Sequence, residues 1–311
     1  MSGLSQKTRR LIDWVRSVLF YGHWMIGVVD QPIENAVHWT RLPPVRWIAP
    51  FDRKRYMADP FPWPGSTDTI LCEICDAKSH VGHLAALKIG DGGLIDEMRI
   101  DLPARSHLSF PFLFRLDGVV FMMPESSASR KLEIFQWREN DGQWVPFVSL
   151  FLDKPAADAT LFEKDGLLWI SYTDVSDHPH DNLNLIYART LAGPWVPHPK
   201  NPVRRGTQSS RNAGAVFTAD GKLYRPSQDC SRLYGGSIRI MEITTCTPDD
   251  YAEREVNHIR PSAKAYTDGV HTLMPWGENK CLVDGMRLTF SPRLLAKKIL
   301  RRMGLLRQSR M

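Results

Sequence analysis

Asp59-Pro60-Phe61-Pro62-Trp63, followed by Ile70-Leu71-Cys72-Glu73, is an apolar run, a turn, a second apolar run and a closing carboxylate. The unit returns as Phe110-Pro111-Phe112-Leu113-Phe114 with Met122-Met123-Pro124-Glu125, and as Asp158-Ala159-Thr160-Leu161-Phe162 with Trp169 to Asp174. Two more copies are Asn212-Ala213-Gly214-Ala215-Val216-Phe217 with Leu223 to Asp229, and His271-Thr272-Leu273-Met274 with Cys281-Leu282-Val283-Asp284. Strand pairs that recur about every 50 residues are the mark of a β-propeller. The sequence therefore predicts an all-β, five-bladed propeller over residues 45–290. Innermost strands of a propeller surround one axis, so the leading Asp59, Asp158, Asn212 and His271 are predicted to converge on one pocket.

Composition agrees with this. Of 311 residues, 43% are hydrophobic and 24% charged, the balance of a soluble globular chain. Ten tryptophans and 22 prolines suit a turn-rich β protein whose aromatics pack between blades or against sugar faces. The net charge of +6 sits at the ends. Residues 291–311 carry Arg293, Lys297, Lys298, Arg301, Arg302, Arg307 and Arg310 without an acid, and residues 1–20 carry Lys7, Arg9, Arg10 and Arg16 against Asp13. The body between them is net negative, which argues against a nucleic-acid groove across the propeller.

Residues 7–20 read as a short basic helix, with Leu11, Trp14, Val15, Val18 and Leu19 on one face. Residues 1–44 are accordingly assigned to this helix and a lead-in. Ser291-Pro292 is a helix start, and Leu295, Ile299, Met303 and Leu306 then share a face over residues 291–311. Basic amphipathic ends suit an anionic membrane surface or packing against the propeller. The first apolar run, Val15 to Phe20, is too short for a secretory core or a membrane span. An odd cysteine count (Cys72, Cys75, Cys230, Cys246, Cys281) reads as reduced thiols. The expected location is therefore the cytoplasm, peripheral on the inner face of the membrane. Cys72-x-x-Cys75 lacks a second pair at ligand spacing, and His178 and His180 sit in a loop of solvated character, so no metal and no cofactor is expected.

The chemistry-bearing residues are the leaders and the closing carboxylates. Asp59 and Asp158 open blades one and three; two carboxylates facing one cavity divide acid and base roles around a glycosidic bond. Glu125 and Asp229 close the second strands of blades two and four, where a carboxylate serves the chemistry or bonds backbone amides of the next blade. His107 and His271 lie at strand starts. Arg211 precedes the leader Asn212 and offers a planar fork for carboxylate or phosphate.

The runs Ala58-Asp59-Pro60-Phe61, His107-Leu108-Ser109-Phe110-Pro111, Met122-Met123-Pro124-Glu125-Ser126-Ser127, Arg211-Asn212-Ala213-Gly214 and Leu223 to Cys230 carry a resemblance. Over about residues 45–290 the chain resembles the N-terminal domain of the glucosamine inositolphosphorylceramide transferases of plants and their bacterial relatives. More distantly it is similar to family-43 glycoside hydrolases, which are five-bladed propellers with an axial pocket. The resemblance implies a base at Asp59, a tuning carboxylate at Asp158 and an axial histidine at His271. In those hydrolases a glutamate opens blade four as general acid; here that place reads Arg211-Asn212. Without an acid, cleavage of a sugar–sugar bond loses a factor of about 10²–10⁴. A leaving phosphate needs cations rather than a proton.

These readings lead to a glycosyltransferase-type enzyme of glycan or glycolipid assembly, taking a sugar from a phosphate-activated donor to a hydroxyl. Asp59 would be its base, Asp158 would orient the base or the sugar, and Arg211 would hold a phosphate. Two alternatives stay open: a family-43-like hydrolase with Glu125 or Glu73 as acid, and a non-catalytic glycan-binding propeller. The second follows because, in the plant proteins, transfer is expected from a separate C-terminal domain. The expected partners are a carbohydrate or glycolipid, the phosphate-activated donor and an anionic membrane surface, with no nucleic acid.

Overall fold

The computed structural model describes residues 19–52, 55–76, 81–103, 107–126, 130–152 and 154–290. Their strands form five antiparallel sheets, one per blade, as the repeat predicts. From the axis outward, blade one is Arg55–Pro62, Thr69–Asp76, Gly82–Gly90 and Gly93–Arg99. Blade two is Ser109–Leu116, Val119–Glu125, Lys131–Arg138 and Gln143–Phe151. Blade three begins Ala156–Lys164, Leu167–Asp174 and Asn182–Ala188, and blade four is Phe217–Ala219, Lys222–Asp229, Ser237–Cys246 and Tyr251–Ile259.

The second strand of a blade lies between neighbouring blades and has no solvent face. Its sequence therefore reads as a continuous apolar run, not an alternating one. Ile70, Leu71, Cys72, Ile74 and Cys75 are all buried accordingly, and neither cysteine forms a disulfide. Between blades one and two, Phe61 meets Phe110 and Phe112 edge-on at centroid distances of 4.7 and 5.7 Å. Truncating a buried phenylalanine of this kind to alanine costs about 3–5 kcal/mol.

Blade five corrects the sequence-based boundary at residue 45. It is built from Leu273–Pro275, Cys281–Phe290, Phe20–Val29 and Val45–Trp47, so the N-terminal segment supplies half of it. Phe20–Val29 pairs with Cys281–Phe290 over ten positions, from Phe20 opposite Phe290 to Val29 opposite Cys281. That pairing joins the two ends of the propeller chain and closes the ring. Local pattern could not reveal it, because the partner strand is some 250 residues away. The basic helices expected at 7–20 and 291–311 fall outside the described residues, apart from residues 19 and 20; Phe20 already belongs to the strand. Among the described residues, no helix is long and apolar enough to cross a membrane.

One local device aims the leaders at the axis. The innermost strands of blades one, two and three each carry an extra residue, at Ala58/Phe61, Ser109/Phe112 and Ala157/Thr160. Asp59, Phe110 and Asp158 sit in these bulges with φ of +52°, +44° and +48°. A bulge turns a side chain off the regular alternation, and aspartate tolerates the left-handed conformation better than most residues.

Candidate active site at the propeller axis

Asp59, on blade one, is buried and held from blades two and five. Its Oδ2 accepts the Phe110 amide of blade two at 3.2 Å, and its Oδ1 accepts the Thr272 hydroxyl of blade five at 3.1 Å. Its own amide donates to Oδ2 of Asp284 at 3.3 Å. Burial raises its pKa to about 6; the His271 charge opposes the rise, and the Asp284 and Asp158 charges add to it. Asp59 and Asp158 are thus near enough for one charge to be felt by the other.

Asp158 is not a free carboxylate. Its Oδ2 receives Nε of Arg211 and, at 2.9 Å, the side-chain amide of Gln228. Arg211 also donates to the Pro179 carbonyl at 2.9 Å and lies 5.1 Å over the Tyr234 ring. Burial works against the Arg211 charge, but Asp158 and Glu125 hold it protonated more firmly than usual. Asn212 spends its amide on the Asp158 carbonyl at 2.8 Å and on Ser171, at 3.1 Å to the carbonyl and 3.0 Å to the hydroxyl. Behind them Arg225, fully buried, donates to the carbonyls of Ser209 and Ser210 and to Oδ1 of Asn212, and pairs with Glu253 at 2.6 Å. An arginine inside the apolar run Leu223-Tyr224-Arg225-Pro226 was the sequence signal for this support, and the sequence reading passed over it.

The closing carboxylates of two blades do bond the next blade's amides. Glu125 Oε2 accepts the Asp158 amide at 3.1 Å, and Asp284 accepts that of Asp59. Burial, then the Asp158 charge, pushes the Glu125 carboxyl up to about 8. Glu73 is also pushed well up, by burial and by Asp59. Asp229 and His107 are placed elsewhere. Asp229 receives Arg239 at 2.7 and 2.9 Å and the Ser231 hydroxyl at 2.6 Å, at the wall of a separate groove. His107 accepts the Gly82 amide at 2.8 Å and stands 3.5 Å from Glu73, half-exposed behind the axial residues.

His271 closes the ring. Its Nδ1 lies 2.5 Å from Asp284 Oδ2 and its Nε2 3.8 Å from Asp59 Oδ1. Burial disfavours the imidazolium, yet Asp284 and Asp59 raise its pKa to about 9, so it is a cation at neutral pH. Asp59, His271 and Asp284 bring ligand-type atoms within 4.8 Å of one another, so the cluster that forms ion pairs around the imidazolium could hold a metal ion in place of its proton. Trp24 stacks on the imidazole at 3.8 Å, and Tyr234 meets it edge-on at 5.3 Å. The sequence reading missed Trp24, which belongs to the unforeseen N-terminal strand, and Tyr234, which lies on the loop after Asp229. The cluster offers a buried carboxylate that titrates near neutrality, a fixed cation beside it and a partly exposed aromatic ring, a set suited to binding a sugar and taking a hydroxyl proton.

The fold and site define a five-bladed propeller with a cluster of buried carboxylates at its axis. Residues 50–269 match the family described as glucosamine inositolphosphorylceramide transferase 1, N-terminal, and the chain belongs to that family. It is 32% identical over 261 residues to glucosamine inositolphosphorylceramide transferase 1 of Oryza sativa subsp. indica, covering 76% of this chain and 35% of that protein. The Arabidopsis thaliana protein of the same name is 32% identical over 260 residues, covering 76% and 34%. The chain thus spans about a third of the length of the curated relatives it matches. Among solved structures, an α-L-arabinofuranosidase from Podospora anserina in complex with cellotriose superposes with a TM-score of 0.53 at 11% identity, covering 75% of this chain and 82% of that one. A family 117 glycoside hydrolase from Zobellia galactanivorans gives a TM-score of 0.52 at 11% identity, covering 87% and 92%. These two likenesses are of fold.

Proposed function

We propose that the chain is a sugar-transferring enzyme of glycan or glycolipid assembly, moving a sugar from a phosphate-activated donor to a hydroxyl with Asp59 as general base. The observation that carries this reading is the setting of Asp59. Its carboxyl is oriented by an amide and a hydroxyl and raised to about 6, so it is ionised at neutral pH yet basic enough to take a proton. His271 holds the negative charge in place. At the blade-four position, Asn212 carries an amide already spent on backbone and hydroxyl groups, and an amide cannot protonate a leaving oxygen. A phosphate leaving group removes that need. The relatives' name, a transferase joining glucosamine and a phosphorylated inositol lipid, supports the same class of reaction.

Arg211 is the part of the scheme that changes. Its guanidinium is committed to Asp158 and Pro179, so its role here is to neutralise and fix Asp158. The basic ends, with seven cationic side chains after residue 290, support a place on an anionic membrane surface, at the cytoplasmic face.

One observation favours a second reading. Glu125 is held protonated at neutral pH beside Asp158, as a general acid would be, which suits a glycoside hydrolase. The test is direct. Purified protein is given nucleotide sugars with inositol-phospholipid acceptors, and separately nitrophenyl glycosides. Glycolipid formed by the wild type and lost in Asp59→Asn supports transfer. Free sugar released from glycosides, and lost in Glu125→Gln, supports hydrolysis. Glycan binding without turnover in either assay leaves a binding propeller.

A further inference from the structure

A groove of about 380 Å³ opens beside the axial site, between blade four and the segment leading into blade five. Its size is that of a small-molecule site. Asp229 forms part of its wall and is the blade-four counterpart of Glu125 and Asp284, so groove and axial site share one end of the propeller. The loop 230–236 touches both. Tyr234 of that loop faces Arg211 and His271, while Arg232 and Leu233 line the groove.

The groove collects cations that have no acid partner among the described residues. Arg225, Arg239 and Arg254 of blade four pair with Glu253, with Asp229 and Glu255, and with Glu242. Among the described residues, Arg232 and Arg260, both exposed at the groove, have no acid partner, and neither has Arg41 beside them, which donates to the Pro261 carbonyl at 2.7 Å. Of the two acids in the wall, Asp229 is neutralised by Arg239, and Asp268 accepts the Leu288 amide. Backbone bonds hold two of the cations side by side. Arg41 and Arg260 are bridge partners, with Arg260 N donating to Thr40 O at 3.2 Å and Leu42 N to Arg260 O at 2.9 Å. Like charges on paired backbone positions repel, a local cost that the fold retains.

We propose that this groove binds a phosphoester, the anionic part of the substrate, on the guanidinium groups of Arg232, Arg260 and Arg41. The assignment deepens the transfer reading above, on which its biological meaning rests. Guanidinium forks match phosphate oxygens, and a bound dianion cancels the repulsion between Arg41 and Arg260. With the phosphate here, the loop that carries Arg232 on the groove and Tyr234 beside Arg211 and His271 links the two places. The phosphate role expected of Arg211 then falls to the neighbouring groove.

The experiment measures binding of three probes by the whole chain: inorganic phosphate, UDP, and phosphatidylcholine vesicles with and without phosphatidylinositol. The double variant Arg232→Gln/Arg260→Gln is expected to weaken phosphate binding at least about 10-fold, the loss of one charge-assisted contact or more. Its thermal midpoint should stay at the wild-type value, because both side chains are exposed; if it does not fold, Arg232→Gln alone carries the comparison. Arg115→Gln/Arg189→Gln, which removes two arginines remote from the groove, should leave binding unchanged. An equal loss in that control, or no saturable binding of any probe, overturns the proposal. Binding of phosphate and UDP identifies a soluble phosphoester, and binding confined to phosphatidylinositol vesicles identifies a lipid headgroup. Asp59→Asn should bind phosphate as the wild type does. Phosphate binding without transfer would sink the transfer reading and keep the groove, whereas Asp59-dependent transfer without phosphate binding would sink the groove alone.

Discussion

Nε of Arg211 donates to Oδ2 of Asp158, and the Gln228 amide takes the same oxygen at 2.9 Å. One of the two axial aspartates is thereby held in an ion pair, whereas Asp59 accepts from an amide and a hydroxyl. Removing one partner of a buried ion pair leaves an uncompensated charge. Arg211→Met should therefore lower unfolding free energy by about 3–5 kcal/mol, and adding Asp158→Asn should restore much of it. Denaturant titrations of the two single variants and the double variant measure this. Additive losses would show that the pair is not coupled.

Asp59→Asn keeps the shape of the site and removes the base. Transfer should fall by about 10²–10⁴-fold with little change in KM. In the wild type, activity should rise with pH through about 6 as Asp59 ionises. If Glu125 acts as an acid, a falling limb near 8 should accompany it. A pH–rate profile separates the two readings, and near-wild-type turnover by Asp59→Asn would remove the base assignment.

Glu125 also writes itself into stability. Its folded pKa of about 8 lies above the ordinary 4.5, so the folded protein keeps a proton that the unfolded chain releases. Stability contributed on the acid side is lost as pH rises from 4.5 through 8, and His271 adds a loss of the same sign between 6.5 and about 9. Glu125→Gln is neutral like the protonated acid and still accepts the Asp158 amide. Its melting midpoint should match the wild type near pH 5 and exceed it by about 4 °C or more at pH 9. Parallel midpoint curves across that range would contradict the assignment.

The N-terminal strand should be indispensable. Phe20–Val29 pairs along the whole of Cys281–Phe290 and brings Trp24 onto His271. A chain beginning at residue 45 should give no cooperative thermal transition, because blade five would expose the inner face of its second strand. A folded, cooperative truncated protein would show that two strands suffice for that blade.

Deleting residues 292–311 should weaken binding to anionic vesicles at low salt and leave the melting transition in place, since those residues carry seven cations and no acid. Cosedimentation at two salt concentrations tests this. Undiminished vesicle binding would place the membrane contact elsewhere.

The five repeats and their strand pairs are legible in the sequence, because strand period and turn residues are written locally. The sequence also showed that blade four lacks a leading carboxylic acid. What each of these side chains touches depends on the assembled blades. Asp229 and Glu125 hold the same place in their repeats, yet Arg239 draws one into an ion pair at the groove and the Asp158 amide draws the other to the axis. Arg211 looks like a phosphate ligand in the sequence and is buried against Asp158 in the fold. The closing strand, Trp24 and the Arg41–Arg260 pair arise from segments more than 200 residues apart. Their chemistry depends on which side chains meet and how far water is excluded, and ring closure fixes both.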